Sequence, residues 1–173
     1  MAGEQKLFLK TIASVWRTEF PLFRPLNLRE VPQVPKGCNY LCDAYGDTRS
    51  RYYFIRLNFS SKCRGQFSIG VTISPSPERS TLDPAMASQP TSTSIGSFGI
   101  WQFMHRPRFD WSLVDLEAES MALLGISSGS PKSPNEWRPS TYTQPVEKIV
   151  EEAIAHVNQT LRTHVFPVLQ IEA

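Results

Sequence analysis

His105, Arg106, Arg108 and Asp110 fall within six residues, in "HRPRFD". Two guanidinium groups, an imidazole and a carboxylate this close could form an anion-binding corner. A helix start just beyond them would add backbone N–H donors. The plain alternative is a solvated turn in which Asp110 pairs with an arginine, a common and weak surface contact. Trp101 lies just upstream and joins the candidate binding residues, as do Arg56 and Asn58 in "FIRLNFS". No catalytic residue is assigned.

Cys38 and Cys42 form a C-x3-C pair that Cys63 and His105 could complete as a four-ligand set. Structural zinc sites present two recognisable ligand pairs at tight spacing. Only one loose pair occurs here, so ordinary thiols are expected, with no metal and no cofactor. The remaining histidines, His156 and His164, lack an H-E-x-x-H context and read as helix-surface residues. No nucleophile elbow, phosphate-binding loop or dinucleotide fingerprint is present. Enzymes that announce themselves by motif are therefore absent from the list of expectations.

The run "RSRYYFIRLNFSSKCRGQF" is basic and aromatic. Arg49, Arg51, Arg56, Lys62 and Arg64 could neutralise phosphates while Tyr52 and Phe54 stack on bases. The same rings would serve as packing if both sheet faces are covered. The net charge of +2 favours packing. Residues 1–72 carry 11 Lys/Arg against 5 Asp/Glu, and residues 73–173 carry 7 against 11, which predicts a bipolar surface.

These residues need elements to hold them. "EQKLFLKTIASVWRTEF" places Leu7, Phe8, Ile12, Val15 and Trp16 on one helical face, ending before Pro21. Four prolines within residues 21–35 exclude a central strand and allow only a short edge strand. "CNYLCDAY" reads as a strand. Tyr53, Ile55, Leu57 and Phe59 alternate with Tyr52, Phe54, Arg56 and Asn58. Phe67, Ile69, Val71 and Ile73 alternate in the same way in "QFSIGVTIS", and the two runs predict an antiparallel hairpin.

A Ser/Thr/Pro-rich loop is expected at about 75–96, and a second loop at about 127–144. "FGIWQFMH" reads as a strand with Trp101, Phe103 and His105 on one side. Ser112 reads as the N-cap of a helix running through Leu124 to Gly125. Pro145 opens a last helix with an apolar stripe at Val146, Ile149, Val150, Ala153, Ile154, Val157, Leu161 and Val165, ended or kinked by Pro167.

The hairpin "FIRLNFSS … GQFSIGVTIS" resembles the bacterial domain of unknown function 4304. Members pair a strand ending Ile-Asn-x-Gln with one of the type Phe-x-Ile-Asn-x-Gly. Here Leu57, Asn58 and Ser60 stand at the first set, with Ser60 in place of Gln. Phe67, Ile69 and Gly70 fall near the second, whose Asn is missing. The similarity extends loosely over residues 5–125. It implies an α+β domain and no known reaction.

One α+β domain is therefore expected over residues 1–173, an antiparallel sheet packed by N-terminal and C-terminal amphipathic helices. Without a signal peptide or an apolar run of ~18 residues, a cytoplasmic chain with no membrane partner is expected. The expected function is non-enzymatic binding of a protein partner, in its most specific form as an immunity or antitoxin-like partner of a bacterial toxin. The alternatives are a nucleic-acid-binding protein or nuclease using residues 49–67 and 105–111, or a small-molecule binder.

Overall fold

The computed structural model describes residues 3–21, 23–25, 38–44, 51–60, 65–76, 89–115 and 135–171, with 23–25 and 38–44 described by their backbone alone. Helix α1 spans Gly3–Glu19. Strands β1 (Phe23–Pro25), β2 (Cys38–Ala44), β3 (Tyr52–Phe59) and β4 (Gln66–Ser74) follow. Strand β5 (Gly96–Gly99) leads into the short helix α2 (Ile100–Phe103). Strands β6 (Asp110–Ser112) and β7 (Glu136–Trp137) precede helix α3 (Val146–Thr160). A π-helical turn, Leu161–Val165, joins α3 to α4 (Phe166–Leu169).

The described strands form one mixed, mostly antiparallel sheet in the order β1-β2-β3-β4-β6-β7. The β3–β4 ladder is the longest and pairs Leu57 with Ile69 and Ile55 with Val71. Beyond it, β4 is shared along its length. Its Gly70–Ile73 half pairs with β5, and Gln66 and Phe67 pair with β6. Only β6–β7 is parallel. Pro25 sits in the edge strand β1, where its missing N–H is tolerated.

Alternation sets the core. Tyr53, Ile55, Leu57 and Phe59 of β3 and Phe67, Ile69, Val71 and Ile73 of β4 are all buried. They share one cluster with Phe8, Ile12 and Trp16 of α1 and Ile149, Val150, Ala153, Ile154 and Val157 of α3. The stripes on the two terminal helices thus close over one face of the sheet. The architecture is α+β, as the segregated helix and strand patterns predict. No helix among the described residues is long and apolar enough to cross a membrane.

Three expectations are corrected. "FGIWQFMH" is not one strand: it leaves the sheet at Gly99 and turns into α2, with Gly99 N–H donating to Gln102 Oε1 at 2.8 Å. His105 follows in the left-handed region at φ 55°. Ser112 is not a helix cap but the end of β6, paired with Gln66, and its hydroxyl donates to Val114 O at 2.9 Å. The local capping signals gave way to the stacking of Trp111 on Phe67, with centroids 5.5 Å apart and planes at 11°. The rest of that expected helix, from 116 on, lies outside the described residues. The expected loop at 127–144 contains β7, held parallel to β6 by the Asp110–Glu136 and Trp111–Trp137 pairs.

The loop expected at 75–96 is described only at its ends: Arg51 Nη1 donates to Ser92 O, and β5 begins at Gly96. Residues 77–88 lie outside the described set. Pro167 does not end the C-terminal helix. A proline ring collides with the carbonyl four residues back, here Thr163. The π turn widens the coil at that point, with Phe166 N–H reaching Leu161 O.

Candidate functional site

The end of α2, strand β6 and the α3–π junction meet at one corner. Short helix α2 packs on the π turn. Directly after α2 the chain carries His105, Arg106, Pro107 and Arg108 outward, all four exposed. The Arg106 backbone N–H donates to Trp101 O at 2.9 Å, which fixes the turn. The Arg106 guanidinium lies over the Phe109 ring, 5.3 Å from its centroid. Phe109 stacks on His156 of α3, with centroids 6.0 Å apart and planes at 13°.

His156 is the centre of this arrangement. Trp111 meets it edge to face at 6.0 Å, and Trp137 lies tilted against it at 5.6 Å with planes at 36°. Trp111 Nε1–H donates to His156 Nδ1 at 3.1 Å. A nitrogen that accepts cannot carry a proton, so His156 is neutral with its hydrogen on Nε2. Burial holds its pKa below the usual imidazole value, and the Arg106 and His164 charges lower it further. His164 is lowered in the same way, by burial first, then by Arg106 and His105. All three histidines of the chain are therefore gathered around Arg106.

Thr160 resembles a nucleophile beside a base, with its Oγ1 3.4 Å from His156 Nδ1. Its hydroxyl instead donates to His156 O at 2.8 Å, and Trp111 already occupies the nitrogen. The residue is buried and serves to hold the helix. Among the described residues no group of His, Cys, Asp and Glu side chains is arranged to hold a metal.

The residues expected to bind are divided between two places. His105 and Arg106 join the histidine corner, and the ring nitrogen Nδ1 of His105 bonds Gln89 Nε2. Arg108 and Asp110 make the ion pair that the plain alternative foresees, at 2.5 Å, with Asp110 buried and Arg108 exposed. Trp101 belongs to the fold more than to the corner: its indole lies directly against the bare Cα of Gly99. Arg56 and Asn58 are elsewhere, on the sheet face opposite the core. Cys63 is outside the described residues, and Cys38 and Cys42 are described by backbone only.

His156, Phe109, Trp111 and Trp137 complete the corner and were not singled out as site residues. His156 is corrected from a surface histidine to a half-buried one. It flanks the apolar stripe one position before Val157, and only the return of β6 and β7 onto α3 reveals its partners. The chain matches no family profile, no curated protein and no solved structure.

Proposed function

We propose that the protein acts by binding and that its partner is a protein presenting acidic side chains to the corner of Arg106, His105 and His164. The observation that carries this reading is the gathering of three histidines around one arginine. The Arg106 guanidinium supplies a positive potential that, after burial, lowers the pKa values of both His156 and His164, and an acidic partner would relieve it. The groups sit on a junction braced by rings and by the Trp111–His156 bond, so little ordering is needed on binding. His156 is engaged with an indole N–H and His105 with an amide, rather than with carboxylates that would orient them as bases.

In its finer form the partner is a bacterial toxin and this chain an immunity or antitoxin-like protein. Such a role asks for a rigid, charged face and no chemistry of its own. The nucleic-acid alternative is weakened at one point. Phe54, which would have to stack on bases, is 1% exposed.

The test is a titration of isotope-labelled protein at ~150 mM salt, where screening extends over ~8 Å. An Asp/Glu-rich peptide is expected to shift the His105 and His164 ring signals, and Arg106→Gln to remove the response. A random oligonucleotide is expected to leave them in place. Micromolar oligonucleotide binding, lost on charge reversal of Arg51 and Arg64, would overturn the reading. For the toxin form, co-purification with the product of an adjacent gene and protection of cells from it is the expected result.

A further inference from the structure

We propose that His156 is an acid-operated latch: while neutral, its Nδ1 holds the Phe109–Trp111 segment against α3, and once protonated the same nitrogen turns to Thr160 Oγ1 of its own helix and lets that segment go. Both partners of the nitrogen are in place. Trp111 Nε1–H donates to Nδ1 at 3.1 Å, and Thr160 Oγ1 stands 3.4 Å from the same atom. The Thr160 proton is committed to His156 O at 2.8 Å, so its oxygen offers Nδ1 only lone pairs. An accepting Nδ1 suits the indole, and a protonated Nδ1 suits the hydroxyl. One proton therefore exchanges one bond for the other.

The indole loses by that exchange. Trp111 is fully buried, and a buried donor left without an acceptor is unfavourable. Its other restraints hold it to the sheet and not to α3: it pairs with Phe67 in the β4–β6 ladder and stacks on that ring. The rings around His156 are thus the joint between the rim of the sheet and α3. Phe109 is stacked on His156, and the Arg106 guanidinium lies over Phe109. An imidazolium would bring a second cation to the ring that Arg106 already uses.

The charged groups that act on His156 are Arg106, from the turn after α2, and His164, from the π turn, and both oppose its protonation. The carboxylates on the elements around it are engaged elsewhere: Asp110 of β6 with Arg108, Glu136 of β7 with Arg138, and Glu152 of α3 with Ser140 and Gln144. The half-buried imidazolium is therefore met by repulsion, and opening the joint brings it to solvent. The latch is closed above the His156 titration and open below it. Opening also takes Arg106 off its seat on Phe109 and weakens the corner for an acidic partner. That consequence rests on the acidic-partner reading, and the exchange of bonds does not.

The Trp111 Nε1–H signal, assigned by its loss in Trp111→Phe, is followed by NMR as pH falls, together with the His156 ring signal. Trp16 Nε1–H, bonded to Asn158, serves as the marker of the intact fold. The Trp111 signal is expected to shift and to exchange faster with water at the His156 midpoint, with Trp16 unchanged. His156→Gln is expected to abolish that step. Thr160→Val, which keeps the shape and removes the acceptor, is expected to move it roughly half to one pH unit lower, the scale of one hydrogen bond. A Trp111 signal that ignores the His156 step, a Trp16 signal lost in the same step, or a midpoint unmoved in Thr160→Val would overturn the latch. Below the midpoint an Asp/Glu-rich peptide should bind the parent more weakly than His156→Gln, by roughly fivefold or more. Equal affinities would overturn the control of the partner site. A peptide that binds at no pH would overturn the acidic-partner reading, while the two indole signals still decide the latch.

Discussion

Trp16 and Asn158, 142 positions apart, are joined by a 2.7 Å hydrogen bond from the indole Nε1 to the amide Oδ1. The amide then donates from Nδ2 to Glu19 Oε2 at 2.9 Å, and Glu19 meets Arg162 at 3.5 Å. A polar residue on the buried side of α3 thus locks α1 to α3. It fixes how α1 and α3 sit together above the sheet, and so where the π turn and His164 stand relative to α2.

Asn158→Ala should destabilise the protein by about 1–3 kcal/mol, because the Trp16 N–H is left buried without an acceptor. In a double-mutant cycle with Trp16→Phe, the two losses should fall short of additive, since the second change removes the orphan donor. Denaturant melts of the four proteins check this. Strict additivity would mean that the bond contributes nothing beyond the packing of its two ends.

Ile69→Ala tests the choice of core face. Ile69 is fully buried opposite Leu57. Loss of its side chain should cost about 2–5 kcal/mol, as other buried large-to-small changes do. A loss under about half a kcal/mol in a urea melt would contradict that placement.

What could be read in the sequence depended on range. The period-2 runs at 52–59 and 66–74 and the helical stripes at Phe8/Ile12/Trp16 and Ile149/Ala153/Val157 state their own geometry, so sheet, hairpin and terminal helices were legible. Residues 99–115 were not. Trp101, Phe103 and His105 alternate like a strand, yet Gly99 and Gln102 turn the chain into a helix. Ser112 and Asp115 imitate a helix cap, yet the ring stack of Trp111 on Phe67 draws the segment into the sheet. The corner was half legible for the same reason. His105 and Arg106 are neighbours in sequence, whereas His156 reaches Trp111 only through a contact 45 residues long.

Gly65 ends the expected hairpin connection at φ 68°, and a Cβ there would run into Val114. Its carbonyl also accepts from Leu113 N–H at 3.0 Å, so the segment after β6 rests directly on this position. Gly65→Ala should therefore destabilise by about 1–3 kcal/mol, the usual scale for left-handed strain. A Tm equal to the parent's would show that the strand end relaxes freely.

Tyr142 should titrate late. Burial pushes its phenol up to about 12, against smaller opposing effects from the Ser112 side chain and then from Arg138. The folded value lies above the unfolded value of 10.0, so the contribution to stability is complete below pH 10 and is lost as pH rises through about 12. Ultraviolet difference titration should show a tyrosinate step near pH 12 that belongs to Tyr142. Tyr142→Phe should remove that step and flatten the alkaline loss of stability.

The histidine corner gives the opposite sign. His156 is held below its ordinary value of 6.5 by burial, then by Arg106 and His164. A depressed histidine favours the fold while neutral, so its contribution is complete above pH 6.5 and is lost as pH falls through the lower folded value. Protonation would also set an Nδ1–H against the Trp111 N–H, 3.1 Å away, and break that bond. Arg106→Gln removes the charge common to His156 and His164, so both should titrate at higher pH than in the parent, while burial keeps His156 below an exposed histidine. Trp111→Phe should raise His156 alone, by freeing the nitrogen that now accepts. Ring-proton NMR titrations of the three proteins separate these effects. If Arg106→Gln leaves both histidines where they were, the corner does not concentrate positive charge, and an acidic partner has no reason to seek it.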